Sequence, residues 1–173
     1  AHDPEFIVDL VNSLDPSKHC CILAMYGVKA RKVLEAVQDN PAVKIFASLT
    51  REELSHIDIH LVSLLDDWTH VSVPSKAVSA ICAGQTIVFH GSEDSDTWHM
   101  LGNAGWLVNS ITAEVRKLKI MEIISQIENP SILNQKKVSA QIIKSNLFRQ
   151  KDDAFRTLKE WIVHEKGGGG AKR

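Results

Sequence analysis

Apolar residues recurring by threes and fours constrain this chain more than any motif in it. Leu54, Ile57, Leu61, Leu64, Trp68 and Val71 follow that spacing, and so do Leu101, Ala104, Val108, Ile111, Val115 and Leu118, with Met121 and Ile124 continuing on one side. A helix turns once in 3.6 residues, so this spacing lays a single apolar stripe along one side of a rod. It predicts one helix from Thr50-Arg51-Glu52-Glu53 through Val71 and a longer one from Ser95 to about Ile127. The first begins at a capping box, in which the Thr hydroxyl and the Glu carboxylate each satisfy an orphan backbone N–H.

Helix signals fill most of the remainder. Asp15-Pro16 reads as an N-cap followed by Pro at the first helical position, with Gly27 as the stop. Residues 28–38 are amphipathic, with Val33, Leu34 and Val37 inward, and Asn40-Pro41 restarts a short helix through Ala47. Lys76 to Cys82 forms another between Pro74 and Gly84. Asn129-Pro130 opens a helix to about Ser145, and Asp152-Asp153 precede a last one carrying Phe155, Leu158, Trp161 and Ile162. Acidic residues at its start and His164 and Lys166 near its end suit the helix dipole.

Residues 85–90 are the one β-leaning run, and a lone short strand reads better as an extended connector. Gly102 and Gly105 cost about 1 kcal/mol each inside a helix. Either the backbone approaches another helix there, or the helix starts later, near Trp106. The expected fold is all-α: a multi-helix bundle of about eight helices, with one long central helix and a C-terminal helical pair. No repeat of solenoid length holds when the segments are overlaid.

Charge divides this bundle. Residues 1–114 carry 7 Lys+Arg against 15 Asp+Glu, a net of −8, and residues 115–173 carry 13 against 6, a net of +7. The near-neutral total of −1 therefore hides two opposed halves. Such asymmetry points to an anionic partner or to contact between the halves. Residues 1–6 read as a cloning remnant, 7–166 as a single helical domain (acidic body 7–114, basic part 115–166), and 167–173 as a flexible linker or tail. A 44% hydrophobic content supplies a core, so disorder is not the expected state. No apolar run approaches the roughly 18 residues of a membrane span. Cys20, Cys21 and Cys82 are an odd number with an adjacent pair, which favours a reducing compartment, cytoplasmic or nuclear.

Signals for chemistry are sparse. His56, His60 and Asp67 would share one helix face and are weak candidates for a metal site, but Ile57 stands where an HExxH motif needs Glu. His19-Cys20-Cys21 lacks the spaced pairs that metal ligands favour. His90, Asp94, Asp96 and His99 gather near Ser92 and Ser95, a set that any loop and N-cap contains. No glycine-rich phosphate cradle exists. The chain is therefore read as a non-enzyme, with no catalytic residue and no cofactor.

The basic end is the better lead. Lys136, Lys137, Lys144, Arg149, Lys151, Arg156 and Lys159 are the candidate contacts for an acidic protein or for phosphates, supported upstream by Arg116, Lys117 and Lys119. Trp98 is the candidate interface aromatic, while Trp68, Trp106 and Trp161 are assigned to the core. The leading expectation is a helical binding or assembly module acting through protein contacts, self-association among them. The alternative is an RNA- or DNA-binding protein using the basic helices. A metal-dependent hydrolase centred on His56, His60 and Asp67 is the second alternative.

Overall fold

The computed structural model describes residues 3–109 and 112–167, with side chains as far as Ile162. The chain runs α1 (Pro4–Asn12), β1 (Cys21–Leu23), α2 (Val28–Val37), β2 (Val43–Ile45), α3 (Arg51–Ser55), β3 (Ile59–Ser63), a 3-10 turn at Asp66–Trp68, α4 (Ser75–Ala83), β4 (Thr86–His90), α5 (Asp96–Leu101), a second 3-10 turn at Gly102–Ala104, β5 (Gly105–Val108), α6 (Ala113–Ile127) and α7 (Pro130–Gly167). The expectation of an all-α bundle is overturned. The protein is mixed α/β, with two parallel sheets, β1-β2 and β3-β4-β5.

The supposed connector at residues 85–90 is the middle of the larger sheet. β4 pairs in parallel with β3, from Ile59 opposite Thr86 to Ser63 opposite His90, and with β5, from Gly105 opposite Ile87 to Val108 opposite His90. Every residue of β4 is buried. A parallel strand covered on both faces shows a continuous apolar run rather than alternation, so its burial hid its partners.

The capping box at Thr50 and Glu53 is present, but its helix ends after five residues at His56. Ile57, Ile59 and Val62 follow, and β-branched side chains favour the pleated backbone. Ile59 and Leu61 then face one side of the sheet while Val62 and Leu64 face the other. Of the expected stripe only Leu61 lies in this strand, and Leu54, Trp68 and Val71 are exposed, so the threes and fours mark no single buried face. The predicted helix from Ser95 likewise breaks into α5, β5 and α6. A Cβ on Gly105 would lie 2.8 Å from the Ile87 carbonyl oxygen, so this glycine marks a close strand contact rather than a helix crossing.

Two more short helices fail for local reasons. Asp15 accepts from the Ser17 N–H in a tight turn, and β1 follows. Asn40 accepts from the Ala42 N–H, diverting the chain into β2. The expected stop at Gly84 stands: it takes φ +81°, and its own N–H and that of Gln85 close the end of α4. The C-terminal helical pair is instead one rod, α7, capped by Asn129, which accepts from the Ser131 N–H. Residues 131–166 contain neither Gly nor Pro, so Asp152-Asp153 cannot stop it.

The β3-β4-β5 sheet is covered on both sides. Val62, Leu64, Ile87 and Phe89 pack with Ala77, Ala80 and Ile81 of α4 and Ala140 of α7. Val88, Trp106 and Val108 pack with Phe6 and Leu10 of α1 and Ile120 and Ile123 of α6. Val11 of α1 joins Cys21, Leu23, Val33 and Val37 around the smaller sheet. Asp3 caps α1 and Phe6 is fully buried, so residues 3–6 are built into the fold. Of the expected tail, residues 168–173 lie outside the described residues, as do residues 1 and 2, Ile111 and the side chains of His164 and Lys166. No helix among the described residues is long and apolar enough to cross a membrane.

Candidate partner-binding surface

α7 has 38 residues and at 1.5 Å per residue is about 57 Å long. Among the described side chains, only those of its first half pack on the body. Ile132 and Leu133 pack beside α1 and α6, while Ala140, Ile143 and Leu147 pack on the α4 side. Between them the Lys136 ammonium donates to the Gly105 carbonyl at 2.7 Å and lies 5.5 Å above the Trp106 ring. A lysine there blunts the open edge of β5. Burial holds its pKa below the usual lysine range. Gln141 occupies the space that a side chain at Gly84 would take, and its amide donates to the Gly84 carbonyl.

From Phe148 to Ile162 every side chain of α7 is exposed. The stripe that packs on the body does not stop there. At 100° per residue, Phe148, Phe155, Leu158 and Ile162 fall on the side already occupied by Ala140, Ile143 and Leu147. Phe155 is 53% exposed, Leu158 50% and Trp161 59%. A side that is core in the first half of α7 is bare in the second.

The seven basic candidates lie on this helix but do not form one surface. Lys136 is committed to Gly105 and Trp106, and Lys137 pairs with Asp58 at 2.6 Å. Arg149 donates to Asn146 and Arg156 pairs with Asp153 at 2.7 Å. Lys151 lies 5.6 Å over Phe148 and 6.0 Å over Phe155. By helical angle Lys137, Lys144 and Lys151 run within the apolar stripe, Lys159 borders it, and Arg149 and Arg156 point elsewhere, among Asp153 and Glu160.

The charge division is answered in part inside the molecule. Arg116, on α6, is buried and meets Asp9 at 2.6 Å, Glu5 at 3.5 Å and Asp3 at 3.8 Å. Lys117 reaches the same Asp9, and Lys18 and Glu128 cross between the halves at 2.9 Å. Asp3 also approaches His90 at 3.6 Å, and its N–H donates to Ser63. This cluster sits past the carboxyl ends of β3 and β4, where open α/β sheets hold ligands. Phe6 stacks on the His90 ring at 4.8 Å, so the place is filled by α1. Burial keeps the His90 pKa below the ordinary histidine value, with Asp3 opposing that shift and Arg116 reinforcing it. Asp9 and Arg116 are 107 residues apart, and no local pattern could have paired them.

The weak metal candidates are not gathered. His56 ends α3, His60 lies within β3 and Asp67 within the first 3-10 turn, because the single helix that would have aligned them is absent. His56 contacts the Glu52 carbonyl, and burial lowers the His60 pKa. Among the described residues no cluster of three or more His, Cys, Asp or Glu is placed to hold a metal ion. Burial raises the Cys21 thiol to about 11. Ser95 caps α5, accepting from the Trp98 N–H while donating to Ser92.

Trp98 is half-buried and lines an open groove of about 320 Å³ with Trp106, Lys119, Gln126 and Lys136. Some of its polar groups are already engaged: Trp106 donates to Gln126 within it, and Lys119 pairs with Glu122 beside it. Trp106 is core as expected, whereas Trp68 and Trp161 are largely exposed. Against this geometry, comparison with known protein families, curated proteins and solved structures finds no match.

Proposed function

We propose that this chain is a non-enzymatic assembly module, an α/β body that presents the distal half of α7 to a protein partner. The observation that carries the reading is the continuation of one apolar stripe from the packed half of α7 into its exposed half. Exposed apolar surface rimmed by charge is characteristic of protein docking, and an amphipathic helix lays such a stripe into a groove or against another helix. The scattering of the seven basic residues, with four of them held by other groups of this chain, weighs against a track for phosphates. The serines near His90 and His99 serve a cap and a turn, which supports binding rather than catalysis. Three unpaired cysteines fit a reducing interior, cytoplasmic or nuclear.

Lysine-reactive cross-linking of the full chain, alone and in an extract of its own cells, tests this. Cross-links to protein from Lys144, Lys151 and Lys159 are expected, and they should vanish when Phe155, Leu158 and Trp161 are replaced by Glu. Ultraviolet cross-links to RNA or DNA that weaken with salt and survive the triple substitution would replace this reading with the nucleic-acid alternative.

A further inference from the structure

Resting on the docking role of α7, we propose that its partner is a second copy of this chain, with the two α7 helices antiparallel across residues 151–162. Phe148, Lys151, Phe155, Leu158 and Ile162 alternate threes and fours, the spacing of a two-helix seam. All five side chains are exposed, and nothing in the body covers them.

Charge fixes the direction. A parallel pair sets Lys151 against Lys151 of the second copy inside the seam, and like charges there repel. An antiparallel pair in which Phe155 meets Leu158 of the second copy sets Lys151 against Ile162 instead. The same register brings Asp152 beside Lys159 of the second copy, twice by symmetry. Neither Asp152 nor Lys159 makes an ion pair among the described residues, so both are available for this contact. Trp161 falls opposite Ala154, a large side chain over a small one. The Lys151 stem fills the seam while its ammonium stays near the Phe148 and Phe155 rings and reaches water at the rim. Antiparallel pairing also leaves the two bodies at opposite ends of an overlap of roughly 18 Å.

Sedimentation equilibrium of the full chain over a wide concentration range tests the pairing. A reversible dimer is expected, abolished by Leu158→Glu with no change in the thermal transition of the body. Asp152→Lys and Lys159→Glu should each weaken the dimer about five-fold, and the two together should restore it, because the pairs are only reversed. A monomer at every concentration overturns the second copy and leaves docking by α7 to the cross-linking test. A dimer that Leu158→Glu leaves intact overturns the pairing through α7 and likewise leaves docking by α7 to the cross-linking test. A dimer lost on Leu158→Glu but not rescued by the double charge reversal overturns the antiparallel register.

Discussion

Arg116 of α6 holds Asp9 of α1 through two short contacts, its Nε at 2.7 Å and a terminal nitrogen at 2.6 Å. This pair ties the acidic half of the chain to the basic half within the fold. Asp3 and Glu5 approach the same guanidinium, so one buried cation faces three carboxylates on a single helix and its cap. Removing it leaves Asp3 and Asp9, both largely buried, close together without their cation. Arg116→Ala should therefore cost about 3 kcal/mol, read as a lower urea midpoint. A loss below about 1 kcal/mol would show that the cluster is solvated and does not clamp α1.

The same cluster sets a pH dependence. Burial lowers the His90 pKa from 6.5, Asp3 and Asp66 raise it, and Arg116 lowers it, so the net direction is down. The unfolded state then binds a proton more readily than the folded one. The stability from neutral His90 is complete above about pH 6.5, declines as the pH falls below that value, and levels off beneath the lowered folded pKa. His60, lowered mainly by burial, adds in the same window. Urea midpoints measured from pH 8 to pH 5 should fall, and His90→Leu should flatten part of that slope. A slope unchanged by His90→Leu would remove His90 from the explanation.

Gly105 separates the two readings of residues 95–127 by sign. In a helix Gly→Ala stabilises by about 1 kcal/mol. In β5 the added carbon meets the Ile87 carbonyl at 2.8 Å, and relief requires the strands to part. Gly105→Ala should thus destabilise by about 1–3 kcal/mol in thermal or urea unfolding. A gain in stability would return this segment to a helix.

The distal half of α7 should be separable from the folding of the body. Phe155, Leu158 and Trp161 are each half-exposed or more. Replacing all three by Glu should leave the body's unfolding free energy within about 0.5 kcal/mol while lowering the mass of any assembly to that of one chain. A large loss of body stability would mean that the stripe packs on the body in solution.

These features differ in how far they could be read ahead. Some caps and stops were legible, since Thr50 with Glu53, Asn129 and Gly84 each act within a few residues of themselves, whereas Asp15 and Asn40 cap no helix and Gly27 opens α2 instead of closing a helix. What the caps open or close was not, because Ile59 and Leu61 settle into a strand only once β4 lies beside them. The stripe of Phe155, Leu158 and Trp161 was visible as an amphipathic helix, but its exposure depends on where the body ends. Lys136 and Lys137 looked like surface cations. Their partners, the Gly105 carbonyl and Asp58, are tertiary and carry no local signature. Arg116 was counted among the basic residues for the same reason, with its carboxylates over a hundred residues away.

Hydrogen exchange of the full chain, followed as its concentration is raised, tests the central role of α7 most directly. Amides at residues 148–162 should exchange quickly in dilute solution and slow as chains associate, while those of β3, β4 and β5 stay constant. In the Phe155, Leu158 and Trp161 triple variant the slowing should be lost. Exchange at residues 148–162 that is equally slow at every concentration, or that slows just as much in the variant, would contradict a docking stripe on this helix.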